Sequence, residues 1–282
     1  IEELHAVLKE NTGGEREYKR YLDSLKASVL TAFYTPEPVT DAIMRMLYNA
    51  GVVPVRALEP SAGTGAFAEY LRRYNEEAEI TCFEKDPLTG LILRHLHPDD
   101  TVRVQGLETI EPAYEGHFDL ITSNIPFGDV SLFDPAFSSS RDPVRRQGAW
   151  AIHNYFFMKS VDLVRAGGLI AFITSQGMAD AERNRPVREW LMERCDLVAA
   201  VRLPNNLFTD HAGTEVGSDL IVLQKNSAAR PLSERQRDFI ETRTLSNGIT
   251  VNNSFRSLDR VVQTSAKVGT NPYGKPAMEF TH

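Results

Sequence analysis

Short apolar runs that close in polar, glycine- or proline-bearing turns recur along this chain, and they restrict its fold more than any other feature. Residues 55–58 lead into Glu59-Pro60-Ser61-Ala62-Gly63-Thr64-Gly65 and then into a helical pattern from Ala66. Runs at 80–83, 101–105, 118–121, 169–174, 197–202 and 220–223 repeat the theme. Apart from 101–105, these runs lack polar alternation, which suits strands buried on both faces, the usual condition of a parallel sheet. Interleaved with helices, they predict an α/β sheet of seven strands covered on both sides. In such sheets ligands bind beyond the carboxyl ends of the strands. The residues that close each run are therefore the functional candidates.

Three closing segments carry chemistry. After 118–121 comes Thr122-Ser123-Asn124-Ile125-Pro126-Phe127-Gly128. Asn124 brings an amide oxygen, the turn at Pro126 aims a backbone carbonyl outward, and Phe127 offers a ring, a set suited to a planar group bearing an NH₂. By themselves these residues read equally as a strand-to-loop turn. Gly63 and Gly65 allow close backbone approach to a ligand, and the helix that follows offers N–H groups to an anion. Gly63-x-Gly65-x-x-Ala68 also fits the loose dinucleotide fingerprint, with Glu84 after the next strand. Glu59 just before the glycines would repel a pyrophosphate but welcome a cationic group. That favours S-adenosylmethionine over NAD, with the ammonium facing Glu59 and the ribose hydroxyls facing Glu84. Thr35 and Pro36 open a helix whose apolar stripe is Val39, Ile43, Met46 and Leu47, with Tyr34 and Thr35 facing a ligand or simply starting the helix. Gly106-Leu107 closes the third strand, where an apolar side chain would meet an adenine ring. Phe208, in Leu203-Pro204-Asn205-Asn206-Leu207-Phe208, reads as a core anchor or an exposed stacking ring.

The 282 residues suffice for one large α/β domain with extensions, divided here as a helical extension (1–28), a main domain (29–225) and a polar tail (226–282) with a hairpin around Ser246-Asn247-Gly248. A helix at 153–165 is expected to stop at Gly167-Gly168. The start at Ile1 and the lack of a natural stop at His282 predict a piece of a longer polypeptide. Cys82 and Cys195 give neither a disulfide framework nor a metal-ligand spacing, and no run is long enough to span a bilayer, so a reducing cytoplasm is expected. A net charge of −7 leaves nucleic acid open only through a local basic patch. Candidates for phosphate contact are Arg141, Arg145 and Arg146, in a mobile-looking insertion at 129–150, and Arg183 and Arg185.

Phe33-Tyr34-Thr35-Pro36, Glu59-Pro60-Ser61-Ala62-Gly63-Thr64-Gly65, Glu84-Lys85-Asp86 and Asn124-Ile125-Pro126-Phe127 occur in that order. Together they resemble the gamma-type amino-methylating DNA methyltransferases that modify adenine N6. With Leu203-Pro204-Asn205-Asn206-Leu207-Phe208 and Ala212-Gly213-Thr214-Glu215, the chain is similar to the methylase part of large phage and conjugative-element methylase–helicase proteins. The resemblance implies a Rossmann-like seven-stranded S-adenosylmethionine-dependent methyltransferase sheet and DNA as partner, with a helicase or recognition domain elsewhere in the polypeptide. It implies a donor pocket of Tyr34, Thr35, Pro36, Glu59, Pro60, Ser61, Gly63, Gly65, Glu84, Lys85, Asp86, Gly106, Leu107 and Phe156. Asn124, Pro126 and Phe127 would be catalytic, with Phe127 and Phe208 stacking on a flipped base. The family pattern has proline where Ile125 stands, a departure that leaves the Asn124 and Pro126 acceptors intact, and Asp where Gly106 stands, a departure that either weakens cofactor binding or hands that hydrogen bond to Glu108. Two alternatives stay open: a methyltransferase acting on RNA or on protein glutamine, and a catalytically silent donor-binding module.

Overall fold

The computed structural model describes residues 9–10, 12–31, 35–128, 130–208, 216–256, 260–263, 265–270, 274 and 276–281. Five strands lie parallel: β1 (Arg56–Glu59), β2 (Glu79–Phe83), β3 (Thr101–Arg103), β4 (Phe118–Asn124) and β5 (Val164–Ser175). Strands β6 (Cys195–Leu203) and β7 (Ser218–Lys225) complete the sheet in the order β3-β2-β1-β4-β5-β7-β6, with β7 antiparallel to both its neighbours. The expected seven strands are all present, and β4 runs further than its apolar core, through Thr122 and Ser123 to Asn124.

Successive strand residues point to opposite faces, and here both faces are buried. Leu58, Phe83, Ile121, Ile170 and Phe172 enter one core, whereas Ala57, Cys82, Leu120, Ala171 and Ile173 enter the other. The first core is closed by α7 (Ile152–Leu163), α8 (Arg185–Met192) and α9 (Glu234–Ile240). The second is closed by α2 (Glu37–Asn49), α3 (Ala66–Tyr74) and α4 (Pro87–Leu96). Helix α1 (Glu15–Thr31) follows Gly13-Gly14 and packs beside α4.

Three expectations change. Helix α7 ends at Leu163 and the chain enters β5 at once. Gly167, with φ of 77°, serves a bulge between the pairs Phe118–Val164 and Leu120–Leu169 instead of a helix cap. A side chain on Gly168 would meet the Asp119 carbonyl oxygen at 2.9 Å, so the bulge also needs close backbone approach there. The insertion is built rather than loose: α5 (Pro135–Ser138) and α6 (Pro143–Gly148) are capped by Asp134 and Asp142, and Phe137 packs against Tyr155.

The boundary at 225 does not separate packed units. Phe239, Ile240 and Phe255 join the first core. The Gln236 side chain donates to the Met192 and Cys195 carbonyls, and Asn252 donates to those of Ala179 and Phe239. Buried Arg202 pairs with Asp219 and Asp180 and lies over the Phe255 ring. The expected hairpin forms as β8 (Thr242–Thr244) with β9 (Thr250–Asn252), turning at Gly248. A last hairpin, β10 (Ser265–Thr270) with β11 (Pro276–Thr281), is held to Asn205 by the Phe280 N–H. Among the described residues, no helix is long and apolar enough to cross a membrane, and no cluster of side chains is suited to a metal ion.

Candidate active site

The glycine loop turns from β1 into α3 through Gly63 (φ 55°) and Gly65 (φ 89°), left-handed conformations that disfavour any side chain. His97 and Leu93 of the neighbouring α4 region fill the space behind Gly65, with Leu93 Cδ1 2.8 Å from where a Cβ would stand. His97 Nε2 lies 3.2 Å from the Thr64 carbonyl oxygen, and Nδ1 lies 3.2 Å from Asp100. That brace was not legible in the sequence, where His97 carries no local signal.

Glu59 is 1% exposed, and its carboxylate accepts from the N–H groups of Phe67 at 3.3 Å and Ala68 at 2.8 Å. Burial pushes its pKa to about 8 against these two hydrogen bonds. The expectation that Glu59 faces a ligand ammonium is thus corrected. It caps α3 from inside, and it occupies two of the amides that were expected to hold an anion. Glu84 accepts from Gly63 N at 2.8 Å and Asp86 N at 2.7 Å, fastening the loop to the end of β2, and burial raises its pKa. Asp86 caps α4 through Thr89 N at 2.8 Å, a structural duty. Lys85 is exposed and stands 3.6 Å from Glu108.

Gly106 sits where a side chain would run into the Glu108 carboxylate, so Glu108 fills the volume that the missing side chain leaves. Leu107 is 1% exposed and packs with Phe83, Ile110 and Phe118, and Phe156 is buried in the same core. Neither has a face for an adenine ring, which corrects both expectations. Pro36 precedes α2 and Pro38 occupies its first turn. Thr35, half-buried, makes no cap, so the helix starts one residue later than expected. Glu37 accepts from Tyr70 Oη at 2.9 Å and ties this start to α3. Tyr34 and residues 212–215 lie outside the described residues.

Asn124 closes β4 opposite Ile173. The Ile125 N–H continues the ladder to the Ile173 carbonyl at 3.0 Å, a bond that proline cannot donate, and the Ile125 side chain is buried. The Ser123 hydroxyl donates to the Ser61 carbonyl at 2.9 Å, joining the end of β4 to the loop after β1 beside buried Pro60. Pro126 and Phe127 are half-buried, and the Phe127 ring meets Phe208 edge-on at 6.1 Å. Phe208 is 0% exposed, so it backs Phe127 as a core anchor instead of presenting its own face.

The arginines divide. Arg145 makes two bonds to Asp162, at 2.8 and 2.7 Å, and covers the Phe137 ring. Asp162 lies in the last turn of α7, at the end of the sheet away from Asn124, so phosphate contact by Arg145 is corrected to a structural pair. Arg185 pairs with Glu241. Arg141, Arg146 and Arg183 are exposed.

The family model for N-6 DNA methylases matches residues 20–268. Defense against restriction protein B of Escherichia phage P1 is 26% identical over 203 residues, covering 71% of this chain and 8% of that protein. The type II methyltransferase M.XamI of Xanthomonas campestris pv. amaranthicola is 26% identical over 231 residues, covering 78% of this chain and 43% of the relative. The chain therefore spans less than half the length of either. The crystal structure of the type IIG restriction endonuclease BpuSI matches with a TM-score of 0.55 at 15% identity, over 94% of this chain and 33% of that one. The family model covers most of the length of this chain: it belongs to the N-6 DNA methylase family.

Proposed function

We propose that this domain moves a methyl group from S-adenosylmethionine to the N6 amine of an adenine extruded from duplex DNA. One observation carries the reading: Asn124 ends β4 next to Ser123, whose hydroxyl is bonded to the glycine-loop segment, so a base site and a donor site share a wall.

The residues present fit such a donor. Left-handed Gly63 and Gly65 keep side chains out of the loop. Each Glu84 oxygen already accepts one N–H and keeps a lone pair for a vicinal diol. Glu108, beside Lys85, supplies an acceptor where Gly106 has none. Thr35, Pro36 and Ser61 line the methionine end in this reading. The donor supplies an electrophilic methyl on a sulfonium.

The adenine amine is a weak nucleophile because its lone pair is delocalised into the ring. The Asn124 amide oxygen and a backbone carbonyl near Pro126 accept its two hydrogens and draw the nitrogen toward a tetrahedral shape. Transfer is then a matter of alignment, with no strong base required. Extruding the base costs about a few kcal/mol, and stacking on Phe127 offsets roughly 1–3 kcal/mol of it. Phe208 contributes by holding the Phe127 ring. The relatives are far longer than the matched segment, and we infer that sequence choice comes from a recognition or helicase region of a longer polypeptide.

Asn124→Ala is expected to lower methyl transfer to DNA by about 100-fold or more, the loss typical of one transition-state hydrogen-bond partner. Donor affinity should change little. The assay uses labelled donor with duplex DNA, single-stranded DNA, RNA and protein offered separately. Full activity of the variant on DNA would sink the assignment, and label in RNA or in protein glutamine would redirect it.

A further inference from the structure

We propose that His97, as an imidazolium, is the positioning residue that sets the glycine loop for the donor, so that donor affinity falls once the ring loses one of its two N–H protons, resting on the donor reading above. The ring stands between two acceptors. Nε2 lies 3.2 Å from the Thr64 carbonyl oxygen, and Nδ1 lies 3.2 Å from an Asp100 carboxylate oxygen. A carbonyl and a carboxylate accept only, and imidazole donates from both nitrogens only when it carries both protons. Asp100 keeps its charge. Burial opposes ionisation, but the hydrogen bonds from His97 and Arg72 outweigh it and hold the carboxyl below its ordinary range. A neutral ring with its proton on Nδ1 therefore turns the Nε2 lone pair on the Thr64 oxygen. With the proton on Nε2, the other lone pair meets a carboxylate. Both tautomers are repulsive on one side.

The ring has little freedom to turn away. His97 follows the last turn of α4, where its N–H donates to the Leu93 carbonyl at 2.9 Å. The Asp100 N–H donates to the His97 carbonyl at 3.3 Å and closes the turn His97-Pro98-Asp99-Asp100. Arg72 of α3 holds the Asp100 carboxylate from the other side. The His97 side chain is 13% exposed and that of Asp100 3%. A Cβ on Gly65 would run into the ring, so the loop lies directly on it. Relief of a repulsive contact falls to the loop. Moving the Thr64 peptide displaces Gly63 and Gly65, and with Gly63 the bond to Glu84, the acceptor assigned to the ribose.

The surrounding charges favour the doubly protonated ring. The hydrogen bond to Asp100 raises the His97 pKa above its ordinary 6.5 against the effect of burial, with Thr64 and the Glu69 charge of α3 adding to the rise. Glu59 and the buried Cys82 thiol of β2 lie beyond Asp100, whose charge raises the pKa of both. Arg94, His95 and Asp99, on the same helix and turn as His97, are exposed. A raised folded pKa leaves the brace complete below about 6.5 and removes it as pH rises through the folded value.

The test measures S-adenosylmethionine binding by calorimetry between pH 6 and 9, with circular dichroism as the check of folding. Wild type, His97→Gln, Asp100→Asn and the double variant are compared. Wild-type affinity should fall by about 10-fold toward the alkaline end, the weight of one charge-assisted hydrogen bond. Near the midpoint, binding should take up a proton, read from heats in two buffers of different ionisation enthalpy. His97→Gln should bind at the weak, alkaline wild-type level throughout and lose that proton uptake. The donor amine also titrates in this range, but it contributes equally to every protein. Asp100→Asn keeps an oxygen that accepts from Nδ1 and removes the charge, so the midpoint should move to lower pH by about one unit or more. In the His97→Gln background the same substitution should shift nothing. A His97→Gln profile parallel to wild type, or an Asp100→Asn midpoint that stays in place, would overturn this proposal alone. Should His97→Gln not fold, the Asp100→Asn midpoint decides by itself. A wild type that binds no donor at any pH would overturn it together with the donor reading.

Discussion

Glu59 lies against the first amides of α3, and burial holds its pKa near 8, with Glu84 and Asp100 adding repulsion. A carboxyl whose folded pKa exceeds its unfolded value binds its proton more tightly when folded. Its contribution is fully present below the unfolded value, near 4.5, and is lost as pH rises toward 8. Unfolding free energy should therefore fall with pH across that window, by at most roughly 1.4 kcal/mol per pH unit from this residue. Glu59→Gln removes the titration. Denaturant unfolding at pH 5, 6.5 and 8 should show the variant gaining on wild type as pH rises, and parallel profiles would refute the assignment. The sequence showed an acid before the glycines and could not show which way it turned. Its partners stand eight and nine residues ahead, on a helix whose geometry decides the matter. Leu107 and Phe156 are ambiguous in the sequence for a similar reason, because an apolar residue near a ligand edge can face the ligand or the core and only packing selects.

The β4–β5 pair carries one more ladder bond than a proline at 125 would permit. Ile125→Pro removes that donor and strands the Ile173 carbonyl, a cost of about 1–3 kcal/mol, increased by the loss of a buried aliphatic side chain. Asn124 and Pro126 stay as they are. Stability should fall in thermal or chemical unfolding while turnover on DNA survives at temperatures where the variant is folded. Loss of activity in a folded variant would mean that Ile125 acts in the chemistry. Most strands are legible because each contains a short apolar run with a polar end, as in Phe118–Asn124, whereas Thr101–Arg103 is legible only by its place between two helices. The passage from α7 to β5 was not, because Gly167-Gly168 suits a helix cap and a bulge equally. The pairing of Phe118 with Val164, which settles the matter, is not local.

Across the whole molecule, two cores on opposite faces of one sheet require a methylase-type domain that extends past the seventh strand. Phe239 and Phe255 complete the first core, and the family match likewise runs to residue 268. The polar composition beyond 225 concealed this, since a few buried rings and the amides of Gln236 and Asn252 do the joining. The order of motifs at the carboxyl edge was readable in advance, whereas the cross-links between them were not. The Ser123–Ser61 bond is one such cross-link, with a thermodynamic consequence. If donor and base each order the segment they touch, ordering one side lowers the entropy cost at the other. The two ligands then tighten each other by one common factor, as reciprocity demands. Ser123→Ala should reduce that factor toward one in a titration of DNA with and without the donor, while leaving each separate affinity closer to wild type. An undiminished factor would mean that the two halves communicate by another route. A single hydroxyl would thus let the enzyme hold its DNA firmly only when it carries a methyl group to spend.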